Sequence, residues 1–345
     1  MRHLLAAFCL VIAACGGDAP SNPGDTPDLT TSTTPDLALP PGSDVCDPMT
    51  PRSVVEKVFA TPDAGEQPYL EVLTTAQSSV KVLIYLMGYG GILDTLVAKA
   101  KAGIKVSVIL DVGQTANQKY ADMLTAAGAE VHWSDPVFPY MHAKTLIVDD
   151  RAAVISTGNY SKTLSILKER NFVAQINDLN DVADLVELFQ ADWEKRAPNL
   201  GCTRLLVSPL NSRERVLNLI DSAQHTLVME TMQFADDDVR AHVQARKTAG
   251  VDVRVLLAAP SWITANTEAS MFLKNLGIAT RWMSTPGVHV KAFVVDGQTA
   301  YMGSENFSYT SLSKNREVGI IALDGAAVQT IAKTFEADWA TATPF

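Results

Sequence analysis

The chain has 345 residues, with 28 Lys and Arg against 38 Asp and Glu and a formal net charge of −10. That acidic balance, with no basic run, argues against a nonspecific nucleic-acid binder, which normally presents a basic patch. Past residue 14 no apolar run reaches the roughly 18 residues expected of a membrane-spanning helix, while about 150 residues per half is enough to bury two cores.

The first segment reads as an address. Met1-Arg2-His3 is a short basic start, and the apolar run Leu4 to Ala14 is too short to span a bilayer. Residues 1–14 are therefore expected to be a signal peptide. The run ends Ile12-Ala13-Ala14-Cys15-Gly16-Gly17, which resembles a bacterial lipobox with Cys15 as the lipidated residue. Membrane attachment through Cys15, on the periplasmic side of a bacterial cell envelope, is the expectation, and Gly16 after the cysteine points to the outer membrane. Residues 15–45 are rich in Pro, Thr, Ser, Asp and Gly and cannot bury enough apolar surface to fold, so they read as a tether. Cys46 and Cys202 each stand just ahead of one half of the remaining chain, and an oxidising compartment makes a bond between them the expectation.

Two runs of alternating strands and helices follow, over 46–200 and 201–345. In the first, strands are expected near 80–87, 105–111, 130–133, 143–149, 152–156 and 172–176, with helices near 92–102, 117–127 and 180–195. In the second, strands are expected near 226–232, 252–258, 280–282, 290–296, 300–303 and 317–323. Its helices are expected near 212–223, 236–249, 266–276 and 326–341. Apolar strands with intervening helices argue for α/β sheets covered on both faces.

The strands expected at 143–149 and 290–296 carry the chemistry. Residues 142–149 read HAKTLIVD and residues 289–296 read HVKAFVVD. In an extended segment alternate side chains share a face, so His142 projects with Lys144 and His289 with Lys291. Asn159 and Asn306 each follow their histidine by 17 residues. Two imidazoles, two ammonium groups and two carboxamides at one point suit a phosphodiester: Lys and Asn donors neutralise the oxyanion, one His attacks phosphorus and the other protonates the leaving alkoxide. Neither step needs a metal or a cofactor.

The 147-residue offset between the octamers recurs along the chain. It relates Pro62 to Pro209, Ala76-Gln77 to Ala223-Gln224, Ala102-Gly103 to Ala249-Gly250, and Ser161 to Ser308. Each half closes on Phe-x-Ala-Asp-Trp, Phe189 to Trp193 and Phe335 to Trp339, at an offset of 146. The duplication implies one site built from both halves of a single chain, hence a monomer.

The doubled octamer, the Gly303-Ser304-x-Asn306 turn and Asn315-Arg316-Glu317 resemble the phospholipase D superfamily over residues ~53–345. The resemblance implies two pseudo-twofold-related α/β/α lobes with mixed β-sheets and an active site at the lobe interface. It implies a covalent phosphohistidine and no metal. Carried over, His142 and His289 are nucleophile and general acid/base, with His142 the expected nucleophile. Lys144, Lys291, Asn159 and Asn306 bind phosphate, Ser304 and Thr157 assist, Asp149 and Asp296 brace their strands, and Glu317 orients His289. The first half departs from the pattern. Aligning Asn171-Phe172-Val173-Ala174 with Asn315-Arg316-Glu317-Val318 leaves no carboxylate for His142, and Glu169 and Gln175 stand as the nearby alternatives. The resemblance implies hydrolysis or transfer of phospholipid head groups, with a nuclease or a cardiolipin-synthase-like transferase as alternatives. His132, His225, His242, Trp193 and Trp339 read as structural, and Glu230 as an ordinary strand residue. Asp111 and an apolar rim from Tyr140, Met141 and the Gly88–Gly91 loop are weaker candidates.

Overall fold

The computed structural model describes residues 49–50, 54, 56–323 and 325–345. The expected signal peptide, Cys15, the tether and Cys46 lie outside the described residues. Cys202 is disulfide-bonded.

Sixteen strands are described: β1 (Lys57–Thr61), β2 (Ser79–Ile84), β3 (Lys105–Leu110), β4 (Glu130–Trp133), β5 (Lys144–Val148), β6 (Ala152–Ser156), β7 (Glu169–Ile176), β8 (Leu205–Ser208), β9 (Thr226–Thr231), β10 (Asp252–Ala258), β11 (Ala279–Met283), β12 (Gly287–Val288), β13 (Lys291–Val295), β14 (Thr299–Gly303), β15 (Glu317–Ala322) and β16 (Thr343–Pro344). The first sheet runs β1-β7-β6-β5-β2-β3-β4, with β12 added on β7. The second runs β8-β15-β14-β13-β9-β10-β11-β16, the same order with one strand appended. Strands β2, β3 and β4 pair in parallel, as do β9, β10 and β11, and the rest of each main path is antiparallel. The expected mixed sheets and internal duplication are both present.

Burial explains the layering. β5 and β13 are buried at every position, the pattern of strands covered on both faces. One face of each sheet packs on its own helices around Leu93, Leu96 and Leu124, or around Val216, Val243 and Leu273. The other faces share one core, into which helices Leu179–Glu194 and Gly325–Thr341 insert Leu185, Leu188, Phe189, Ile331 and Phe335. The closing helices thus lie between the sheets. Asp178 caps the first of them, accepting from Asn180 N at 3.0 Å, which satisfies a helix-end donor.

Element identities follow the sequence, with local differences. Helices Gln67–Leu73 and Tyr309–Ser313 and strands β1, β8, β12 and β16 were not expected. β7 begins at Glu169 rather than near 172. Its polar Glu169-Arg170-Asn171 start hides the strand, because those side chains serve the lobe interface instead of an apolar core.

The lobes exchange backbone at their seam. β12, immediately before His289, pairs in parallel with Glu169 and Arg170 of β7. Met141, immediately before His142, bridges Arg316 at the head of β15. His142 N donates to Arg316 O at 2.8 Å and His289 N to Arg170 O at 3.0 Å. Each octamer's histidine is therefore held by the main chain of the opposite half.

Candidate active site

Both octamers enter their strands at the same place. His142 and His289 stand just ahead of β5 and β13, beside the carboxyl ends of β2 and β9 (Ile84 pairs Lys144; Thr231 pairs Lys291). All four His and Lys side chains are buried, the lysines fully. Lys144 Nζ donates to His142 O, and Lys291 Nζ to His289 O at 2.8 Å. Lys291 also reaches across the seam to Thr157 O at 3.4 Å. The Lys144 charge sits 5.3 Å over the Tyr85 ring, which makes a T-shaped contact with His142 at a centroid distance of 4.6 Å. Trp262 takes the comparable place beside His289, 6.1 Å away, and its ring fits because Gly287 has no Cβ there. Sequence reasoning missed Tyr85 and Trp262. Their position just past the carboxyl ends of β2 and β10 was the available signal.

The histidine partners correct an expectation. Glu317 does not orient His289. Its Oε2 lies 2.7 Å from His142 Nδ1, across the lobe interface. Its Oε1 accepts from Ser311 Oγ at 2.5 Å and Asn315 Nδ2 at 3.0 Å. An ionised carboxylate only accepts, so Nδ1 of His142 carries the hydrogen and Nε2 keeps its lone pair. His289 Nδ1 instead meets Asn171 Oδ1 at 3.0 Å, with Glu169 Oε2 at 3.6 Å. The alignment behind the earlier expectation was two residues out. Asn171 pairs with Thr61 and Glu317 with Ser208, so Asn171 is the counterpart of Glu317 at the 146-residue offset of the closing helices. Gln175 turns away, to Pro68 O and Glu71.

The remaining expected residues fall into two groups. Thr157 Oγ1 accepts from Phe172 N at 3.0 Å and donates to Asn171 Oδ1 at 3.1 Å. Ser304 Oγ accepts from Val318 N at 2.9 Å and hydrogen-bonds Glu317. These two hydroxyls support the histidine partners. Asn159 and Asn306 lie on the turns after β6 and β14, and neither carboxamide oxygen has a protein partner. No bond through that oxygen fixes either amide, so each can turn its NH2 toward a phosphate. Asp149 and Asp296 lie away from the histidines. Asp149 accepts from the N–H groups of Gln77, Ser78 and Ser79 at 2.8 Å, and Asp296 from Gln224, His225 and Thr226 at 2.9, 2.8 and 2.7 Å. Asp111 Oδ2 accepts from Met141 N at 2.6 Å and so positions the segment leading into His142. Glu230 is buried in β9, and burial pushes its carboxyl up. His132 stacks on Trp193 at 3.6 Å, His242 pairs with Asp221, and Arg281 lies 4.9 Å over Trp339.

Burial sets the electrostatics. It pulls His142 down to about 4 against the opposing pull of Glu317, with Lys144 and Lys291 adding to the decrease. Burial, then Lys291, Lys144 and His142, hold His289 well below 6.5. Charges from both halves act on each ring, so the two half-sites form one. Burial opposes ionisation of Glu317, but His142, Lys144 and Ser304 hold the carboxyl below its ordinary value. The group offers one uncharged imidazole with a free lone pair, a second imidazole, and two ammonium donors for oxyanion charge.

A cavity of about 440 Å³ lies nearby, lined by Ile109, Val137, Phe138, Met141, Leu210 and Arg316 among others. Alternation along the paired strands puts Met141 and Arg316 on the side opposite His142 and Glu317, so this cavity backs the site.

A family model described as cardiolipin synthase, PLD-like domain, matches residues 69–193 and again 216–339. A probable cardiolipin synthase of Bacillus subtilis (strain 168) is 22% identical over 323 residues, which cover 79% of this chain and 64% of that protein. The chain thus spans less than two thirds of this curated relative. Phosphatidylserine synthase of Haemophilus influenzae Rd KW20 has a similar fold, with a TM-score of 0.64, 13% identity, and coverage of 84% of this chain and 87% of that one. Polyphosphate kinase from Porphyromonas gingivalis is similar in fold as well, with a TM-score of 0.67, 17% identity, and coverage of 83% and 47%.

Proposed function

The chain belongs to the phospholipase D superfamily, and on that premise we propose that it is a phosphatidyltransferase that moves a phosphatidyl group from one head-group alcohol to another through a phosphohistidine. The observation that carries the reading is His142, its Nδ1 held by Glu317 at 2.7 Å and its Nε2 free, set among two buried lysines. Nε2 attacks phosphorus, a P–N bond forms and the P–O bond to the departing alcohol breaks, with His289, which enters the step as the imidazolium, giving that oxygen its Nε2 proton and keeping Nδ1–H on Asn171. The incoming alcohol then returns a proton to His289 as it attacks phosphorus and releases His142. Lys144 and Lys291 carry the oxyanion charge in both steps, with Asn159 and Asn306 turned to the same phosphate.

Transfer ranks above simple hydrolysis because the matching family and curated relative are named for cardiolipin synthesis. A lipid substrate is also supported by exposed apolar residues on the loops around His142 and Asn159. Tyr89, Val112, Tyr140, Leu164 and Leu167 are exposed on those loops, while Met141 is buried and belongs to no rim. Among the described residues no helix is long and apolar enough to cross a membrane, and lipidation of Cys15 would supply attachment to an envelope membrane. The Cys15→Ser protein should lose membrane retention while the catalytic body keeps its specific activity; unchanged retention would end the lipoprotein reading.

The test of the activity is to incubate the purified protein with phosphatidylglycerol vesicles in chelator and follow lipids by mass spectrometry. Cardiolipin with release of glycerol is expected. Phosphatidic acid as the sole product would make the protein a hydrolase, and activity that needs an added divalent cation would overturn the mechanism.

A further inference from the structure

The two halves share the His, Lys and Asn of the site and differ in the side chain that holds Nδ1 of each reacting ring. Glu317 and Asn171 hold the same register position, Glu317 opposite Ser208 and Asn171 opposite Thr61. Each reaches Nδ1 of the histidine of the other half, at 2.7 and 3.0 Å. We propose that Asn171 is a positioning residue that divides the labour between the histidines: its neutral amide oxygen, where the other half offers a carboxylate, leaves His289 to release a proton and His142 to attack.

The amide orientation is fixed by its neighbours. Thr157 Oγ1 donates to Asn171 Oδ1 at 3.1 Å, and Asn171 Nδ2 donates to Glu169 O at 3.4 Å. Oδ1 therefore faces His289 and accepts its Nδ1–H. A Cβ on Gly158 would stand 2.5 Å from Asn171 Cγ, so the amide is packed tightly and a larger side chain would not fit. An amide oxygen orients the ring as a carboxylate does, yet it adds no negative charge to stabilise an imidazolium. The groups facing His289 tilt the same way. Lys291, Lys144 and His142 all disfavour its charged form. The Glu169 carboxyl is 3.6 Å away, is pushed up by burial and is bonded by Ser165. An imidazolium so destabilised is a strong acid toward a leaving alkoxide. His142, with Glu317 on Nδ1, has the electron-richer ring and the better nucleophile.

This deepens the transferase proposal and rests on it for the identity of the alcohols, but its test does not. Asn171→Asp is isosteric. Side-chain NMR titration of the full chain should show the His289 midpoint rising by about 1–3 pH units, with His142 nearly unmoved. Glu317→Gln should move His142 and leave His289 in place. Rates with a p-nitrophenyl phosphodiester, whose leaving group needs no proton, should fall at least tenfold in Glu317→Gln and stay within a few-fold in Asn171→Asp. With an alkyl phosphodiester, the alkaline limb of the Asn171→Asp pH profile should move up with the His289 midpoint. An unmoved His289 midpoint, or a p-nitrophenyl rate that falls as far in Asn171→Asp as in Glu317→Gln, overturns the proposal. Absence of phospholipid turnover with these shifts intact would count against the transferase reading alone.

Discussion

In the proposed mechanism His142 and His289 act in series, so neither should be dispensable. His289→Asn is expected to lower turnover of an alkyl phosphodiester by about 10²–10⁴-fold, the usual worth of a general acid. His142→Asn should abolish turnover and leave no phosphoenzyme to trap with a slow substrate, and label found on His289 would reverse the roles. Buried ionisable groups also tie stability to pH. Glu305, beneath the Gly303–Asn306 turn, is held by Tyr301 and Ser212 at 2.7 and 2.9 Å, and burial followed by the Glu317 charge pushes its carboxyl from 4.5 up to about 8. The fold thus keeps a proton there that the unfolded chain releases, and stability drains as pH rises from about 4.5 to 8. The histidines pull the other way. With His142 at about 4 against 6.5 unfolded, stability is full above 6.5 and is lost as pH falls toward 4. Glu305→Gln should therefore gain on the parent protein with rising pH and level off above 8. His142→Asn should gain as pH falls below 6.5. Urea midpoints across pH 4–9 would read both, and flat differences would mean that neither group is perturbed.

At the scale of elements, the repeated Phe-x-Ala-Asp-Trp was legible as a repeat but not as a clasp. Asp192 in helix Leu179–Glu194 takes Arg316 Nε of the other lobe at 3.0 Å, and Asp338 in helix Gly325–Thr341 takes Arg170 Nε and Nη2 at 2.6 and 2.9 Å. The partners are 124 and 168 residues apart in sequence, so no local pattern links them. The same arginines present the carbonyls that hold His142 and His289. Removing one member of such a buried pair strands the other, so Asp192→Ala should cost about 3–5 kcal/mol. Arg196→Ala breaks solvent-screened pairs with Glu187 and Glu194 at the surface, and should cost far less than Asp192→Ala. Equal costs would deny Asp192 its place in the seam. The strand-ending aspartates are another such element. Asp149 and Asp296 adopt φ of 51°, a conformation Asp tolerates better than most residues, and each gathers three backbone N–H groups. Asp149→Ala should cost about 1–3 kcal/mol by denaturant titration while the histidine chemistry persists. A variant of parental stability would leave the octamer's last residue unexplained.

For the whole molecule, the sequence made the repeats, the mixed sheets and the His-Lys pairs readable, because periodicity and spacing are local. It misdirected Glu317, since the partner of an interfacial side chain depends on how the halves dock. It also hid β1 and β8, whose short runs lie next to Pro62 and Pro209, and the polar head of β7. The 146-residue offset of the closing helices was the available clue that Asn171 stands in for Glu317. The pairing of β12 with β7 and of Met141 with Arg316 has a further consequence. Neither half holds a complete histidine site, because each histidine borrows its backbone anchor and its Nδ1 partner from the other. Turnover therefore reports docking as directly as chemistry. On titration with urea, activity should vanish in the same transition as the tertiary signal of either lobe, and a half-folded chain should be silent. Such a chain carries a built-in interlock: a nascent or damaged copy, however well one lobe is formed, leaves both histidines without their partners and, under the proposed function, without turnover.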